Sequence, residues 1–243
     1  MKKILLYSTV ALFALTSCRK EEDDPTDTYT EPETVQVQNS YDDQAIQKFL
    51  TAHYLDALGS IRAFSETDPA DDNYTKLSEM SPVTLPSGVI YIVRQGAQPD
   101  PGTAIGSTDI IRLMSRANSY VAANTDGNVA FIAPFAFKSS IDGAGVPEVD
   151  PSYYYVKQSV LDAATADVAK QRSFYEIEGF REALQNFRAF DLSDDSGYNL
   201  QGVIIVPSRA AFARDPHYSH AGYSMRNRSV IFNFQVYKTT PRP

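Results

Sequence analysis

The sequence predicts an α+β fold in which an antiparallel β-sheet folds around one short α-helix, with a second helix ahead of the sheet. Three observations predict it. Beyond Gly88 the chain is a series of short β-branched and aromatic runs separated by turn clusters such as Gln98-Pro-Asp-Pro-Gly102 and Thr125-Asp-Gly127. One apolar stripe at helical spacing, Ile177, Phe180, Leu184 and Phe187, interrupts these runs. An earlier amphipathic pattern, Ile46, Phe49, Leu50, His53, Tyr54 and Ala57, precedes them. Many short strands with few helices suit a sheet layered against helix rather than alternating parallel units.

The chain opens with Met1-Lys2-Lys3 and a mostly apolar run from Ile4 to Leu15, the positive and hydrophobic regions of a secretory signal. That run is too short to span a bilayer, which takes roughly 20 residues. It ends in Leu15-Thr16-Ser17-Cys18, which resembles the bacterial lipobox and implies that residues 1–17 are removed and Cys18 is acylated. Cys18 is the only cysteine, so acylation leaves no thiol for disulfides or catalysis. Several acyl chains on one residue anchor stably where a single chain does not.

Residues 18–40, rich in acids, Thr and Pro, read as a flexible tether. Within it, Arg19-Lys20-Glu21-Glu22-Asp23-Asp24 resembles the surface-export signal of Bacteroidota lipoproteins, although a charge run beside proline also reads as a plain solvated tether. The expectation is an outer-membrane lipoprotein, surface-exposed or periplasmic, held to the membrane by its lipid. Without Lys2 and Lys3, 20 of the 22 basic residues remain against 30 acidic ones, which argues against nucleic acid as partner. With 43% hydrophobic residues the remainder can bury a real core.

Order is expected from about residue 41. Ser40-x-x-Asp43 reads as a capping box, the periodic stripe as a helix, and Gly59 as its C-cap; residues 41–87 form a helical extension and connector. Strands are expected at 89–93, 109–114, 129–137, 153–156, 202–206 and 229–237, with helices over 160–170 and 177–188.

The order of four segments resembles the FKBP-type peptidyl-prolyl cis-trans isomerases. Gly88-Val-Ile-Tyr-Ile-Val-Arg-Gln-Gly96 and Gly106-Ser-Thr-Asp-Ile-Ile-Arg-Leu113 look like the family's first two strands. Ile177-Glu-Gly-Phe-Arg-Glu-Ala-Leu184 looks like its Ile-x-Gly-Trp-x-Glu-Gly/Ala-Leu helix. Val206-Pro-Ser-Arg-Ala-Ala-Phe212 and Asn227-Arg-Ser-Val-Ile-Phe232 look like Ile-Pro-Ser-x-x-Ala-Tyr and the closing strand. The opening helix is similar to the extension of Bacteroidota lipoprotein members. The resemblance implies an FKBP-like domain over 88–243, a curved sheet around the 177–188 helix, with an insertion at about 141–174.

In that family the substrate proline sits in an apolar pocket between sheet and helix. The X-Pro barrier is roughly 20 kcal/mol because amide resonance must be broken. An apolar site with hydrogen bonds to the twisted amide lowers it, and no cofactor or metal is required. The resemblance places Phe180 at the pocket floor in place of tryptophan, Ile177 on the wall with a backbone amide for a ligand carbonyl, and Phe137 and Phe232 behind. Tyr218, His220 and Tyr223 are candidate rim residues. Three positions depart from the pattern: Phe212 and Leu113 stand at tyrosine positions, and Lys138 replaces an aspartate. Each lost hydrogen bond is worth about 1–3 kcal/mol where its partner stays unsatisfied.

Two functions therefore compete. One is an envelope isomerase, of weak activity, acting on X-Pro bonds of exported proteins. The other is a non-catalytic peptide- or protein-binding module, a chaperone or an accessory subunit of an envelope complex. A carbohydrate-binding lipoprotein, suggested by 15 tyrosines and the anchor, stands behind both. The insertion either gates the pocket or packs on the sheet edge. Asp215, His217 and His220 read as a polar loop before they read as metal ligands, and Asp194-Asp195 as turn chemistry.

Overall fold

The computed structural model describes residues 29–243; the lipobox, Cys18 and the tether before residue 29 lie outside them. Helix α1 (Val35–Ala52) is followed by a small hairpin of β1 (His53–Leu55) and β2 (Ile61–Ala63). Then come β3 (Val83–Thr84), β4 (Ile90–Val93), β5 (Thr103–Ala104), β6 (Ile110–Thr125), β7 (Asn128–Ser139) and β8 (Glu148–Val149). Helices α2 (Gln158–Ala163) and α3 (Glu178–Leu184) precede β9 (Arg188–Ala189), β10 (Gly202–Val206) and β11 (Arg228–Thr240). The main sheet has seven strands in the order β3-β4-β10-β11-β6-β7, with β8 also paired to β6, and every pairing is antiparallel.

Both faces of this sheet are covered, which explains why all five residues of β10 are buried. Ile204 and Val206 face the same core as Phe180 and Leu184 of α3, while Val203 and Ile205 face Ile46, Phe49 and Leu50 of α1. Alternation along β4, with Val89 just before it, and along β11 sorts in the same way: Val89, Phe232 and Phe234 to α3, and Ile90, Ile92 and Ile231 to α1. A strand sandwiched between two apolar layers reads as a continuous hydrophobic run, as Val203-Ile-Ile-Val206 does.

Helix α3 lies close against the sheet because residue 179 is glycine. A Cβ there would stand 2.6 Å from Val89 Cγ2 and 2.9 Å from the Ala210 carbonyl oxygen. That is the physical content of the glycine in the Ile-x-Gly segment. The main core then closes on Phe180, Ala183 and Leu184, all fully buried.

The expected α1 is shifted. It starts at Val35, capped by Thr34, whose Oγ1 accepts from the Val37 N–H at 3.3 Å. Ser40 and Asp43 lie inside the helix, and Asp43 pairs with Arg209 at 2.6 Å. The neighbouring Asp42 is the residue that fixes the register, because it is fully buried and reaches a loop 166 positions away. The helix ends at Ala52, and Gly59, at φ +80°, makes the tight connection between β1 and β2. Residues 153–156 form no strand: the Pro151 carbonyl accepts from the N–H groups of Tyr154 and Tyr155 in a compact turn. The expected 160–170 helix divides into α2 and a 3-10 turn at Asp167–Lys170. Within the described residues no helix is long and apolar enough to cross a membrane.

Candidate functional site

Four of the residues expected to line a pocket do converge. Phe180 projects from α3 onto Phe232 of β11, and the two rings stack with centroids 4.0 Å apart. Phe137, at the end of β7, meets Phe232 edge-on at 5.9 Å. Ile177 caps the start of α3. The helix stripe, the outward limit of β7 and the alternation of β11 thus point three aromatic rings and one backbone amide toward a common centre.

That centre is occupied. The ring of Tyr153, from the 141–174 insertion, lies 5.3 Å from Phe137, 5.9 Å from Phe232 and 6.0 Å from Phe180. Its carbonyl oxygen accepts from the Ile177 N–H at 2.8 Å, the amide expected to serve a ligand. Its hydroxyl donates to Glu148 Oε2 at 2.8 Å. Burial is its main reason for losing a proton less readily than free tyrosine, with the Glu148 charge adding to it. Tyr153 is 1% exposed, and Phe180, Phe232 and Ile177 are fully buried. An open hollow is therefore absent here, and the expected pocket is a filled core.

A lid closes over the filled chamber. The Tyr218 N–H donates to the Phe174 carbonyl at 2.7 Å, and His220 Nε2 donates to the Tyr175 carbonyl at 2.7 Å. These two bonds join the 213–226 loop to the insertion. The His220 ring rests edge-on against Phe137 and Tyr153, each at 6.0 Å. Burial, then the charges of Lys138 and His217, pushes its basicity down to about 4, against the opposing pull of the Tyr175 carbonyl. His220 is neutral in the fold, with the proton on Nε2.

Below the lid, Glu176 clamps the insertion to α3. Its Oε1 accepts from the Val156 N–H and Arg172 Nη1, both at 2.9 Å, and its Oε2 from Arg181 Nη1 at 2.7 Å. It is 3% exposed, so two partly exposed arginines neutralise one buried carboxylate.

The remaining expected site residues lie elsewhere or are sealed. Leu113 is fully buried in β6 opposite Val236. Phe212 is buried and stacks on His217 at 4.8 Å. Lys138 is half-buried on β7 opposite Ala117. Tyr223 belongs to the outer edge of the sheet: its hydroxyl donates to the Ala136 carbonyl at 3.1 Å and accepts from Ser119, which in turn accepts from Arg228 Nε. Its oxygen is committed to structure. Tyr218 is exposed and packs on Tyr175. Among the described residues no group of three or more His, Cys, Asp or Glu side chains is arranged to hold a metal ion.

Tyr153 was expected only as part of a strand in the insertion beside the pocket, and Glu176 and Asp42 carried no expected role. The only signal for the first was three consecutive tyrosines after a proline; Glu176 stood beside the recognised Ile177 segment, with arginines on either side of it.

No protein-family model matches the chain, and the search of curated proteins returns no match. Among solved structures, the chain is similar to the 1.6 Å crystal structure of a peptidyl-prolyl cis-trans isomerase from Pseudomonas syringae pv. tomato. The identity is 11%, the match covers 87% of this chain and 100% of that one, and the TM-score is 0.38.

Proposed function

We propose that this chain is an FKBP-like lipoprotein of the cell envelope that binds proline-containing polypeptide segments without isomerising them efficiently. The observation that carries the reading is the chamber itself. Phe137, Phe180 and Phe232 lie around one ring, that of Tyr153, whose carbonyl takes the Ile177 N–H, an arrangement suited to a flat apolar ring and its carbonyl. Binding such a segment needs apolar walls and one donor; turnover needs more.

The walls lack the rest. Phe212 and Leu113 carry no hydroxyl, and both are buried. Stabilising a twisted amide requires donors aimed at the rotated carbonyl, and each missing one costs about 1–3 kcal/mol, roughly tenfold or more in rate. The Ile177 N–H alone does not replace them. The envelope location rests on the lipobox at Cys18, and the tether would let the domain sample exported chains near the membrane.

A protease-coupled proline-isomerisation assay on the purified protein tests the catalytic half. The expected result is no acceleration over the spontaneous rate at micromolar protein on several X-Pro peptides. Turnover typical of an efficient isomerase would replace this reading with the catalytic one.

A further inference from the structure

Tyr153 satisfies every recognition feature that the chamber offers. Its ring lies among Phe137, Phe180 and Phe232, and its carbonyl takes the Ile177 N–H at 2.8 Å. The residue does not come from the framework that makes the chamber. The walls belong to β7, β11 and α3, which are part of the sheet and its covering helix, whereas Tyr153 arrives on a segment inserted between β7 and α3. It enters through Asp150, a non-glycine residue at φ +53°, and the turn after Pro151. The Ile177 N–H stands at the helix start, where the helix itself offers it no acceptor, and it is the Tyr153 carbonyl that takes it.

We propose that Tyr153 is a tethered occupant of the chamber, and that a proline-containing segment binds by displacing it. This rests on the proline-binding reading above and adds its control. The competition is intramolecular, so the apparent affinity for an external peptide is the intrinsic affinity multiplied by the fraction of molecules in which Tyr153 has left. The retaining contacts are identifiable: the Ile177 N–H, the Glu148 carboxylate on the Tyr153 hydroxyl, the two lid bonds from Tyr218 and His220, the stacking of Tyr153 on Phe232, and the buried Tyr154 beside it, whose hydroxyl donates to the Gly106 carbonyl. Release of the lid lets the ring swing out with the insertion while the Glu176 clamp keeps the segment attached to α3.

Two variants of the full chain test this. The probe is a fluorescein-labelled hexapeptide with a central Leu-Pro, read by polarisation, with the same peptide carrying Ala for Pro as control. Tyr153→Ala should bind the proline peptide at least about tenfold more tightly than the unaltered protein, with no gain for the alanine peptide. Equal affinity of the two proteins would overturn the displacement model and leave proline binding standing. Binding by neither protein would overturn both.

Tyr153→Trp covers the case in which Tyr153→Ala fails to fold. The chain contains no tryptophan, so the introduced ring is the sole indole reporter. Its emission should move to longer wavelength as the peptide saturates. A fixed emission while polarisation shows the peptide bound would overturn displacement alone, and no binding by polarisation would overturn the underlying reading.

Discussion

Replacing Glu176 by alanine should loosen the insertion without dissolving the sheet, and the size of the effect follows from its three bonds. The carboxylate is 3% exposed and serves the Val156 N–H and two arginines. Val156 is itself buried, so its orphaned N–H costs about 1–3 kcal/mol. Arg172 and Arg181 keep 33% and 25% of their side-chain surface in solvent, so they can turn to water and recover much of their hydration. That lowers their share below the roughly 3–5 kcal/mol typical of breaking a fully buried pair. The expected total is about 2–4 kcal/mol. Urea unfolding followed by tyrosine emission and far-UV circular dichroism gives the cost, and hydrogen exchange locates it. Protection should fall over residues 150–176 first, with β10 and β11 changing only by the global loss. A cost under about 1 kcal/mol, or a uniform loss of protection, would refute the clamp.

Three further substitutions probe other parts of the design. Asp42→Ala removes the acceptor of the Ser208 N–H (2.9 Å), the Ser208 hydroxyl (2.5 Å) and Gln38 Nε2 (3.0 Å), all buried, and should cost about 2–4 kcal/mol in urea; a cost below about 1 kcal/mol would show that α1 docks without it. His220→Gln tests pH dependence. His220 is held at about 4 in the fold against 6.5 when free, so the unfolded chain gains the proton first, and stability is full above pH 6.5 and declines toward pH 4. The loss is at most about 3 kcal/mol, and His220→Gln should flatten that part of the unfolding profile; superimposable profiles would refute the buried neutral imidazole. Gly179→Ala should destabilise by about 1–3 kcal/mol although alanine is the better helix former by about 1 kcal/mol, because the added methyl meets Val89 and the Ala210 backbone. A thermal midpoint raised by this change would refute the close packing of α3.

Much of the framework was legible because it is written in local period. The runs at 89–93, 202–206 and 229–237 became β4, β10 and β11, and the 177–188 stripe became the shorter α3, Glu178–Leu184. What failed was local signal overruled by distant burial. Ser40-x-x-Asp43 has the spacing of a helix start, yet α1 begins at Val35 because Asp42 must reach Ser208 and because Gln38 donates to the Ala122 carbonyl of β6. The tyrosine run at 153–155 has high strand propensity, which reports how aromatic rings fit a pleated surface, and here the surface they fit is the inside of the chamber. The aromatic walls were readable from their motifs. Their occupant was not, since nothing in the spacing of Tyr153 relative to Phe180 or Phe232 says that the insertion folds inward.

The closure of the chamber is a property of the insertion and not of the fold beneath it. The pairing of β6 with β11 runs from Ile110 to Val121 of β6 and along β11 from Arg228 to Thr240, and α3 is held by the packing of Phe180, Ala183 and Leu184, so the walls stand on long-range ladders and a continuous apolar core. Tyr153 and the lid stand on four hydrogen bonds, on edge contacts with Phe137 and His220, and on the stacking of Tyr153 against Phe232 within that same core. Three of those bonds are neutral, at about 1 kcal/mol net each, the one to the Glu148 carboxylate is worth about 1.5–3 kcal/mol, and exposing the buried Tyr153 ring adds about 1.5–3 kcal/mol. An external segment that restores the Ile177 bond and refills the apolar space recovers most of that cost, whereas a segment without a ring-shaped apolar residue recovers little. Under the proposed reading, selectivity for proline would arise from the chamber walls and not from hydroxyl donors to its amide.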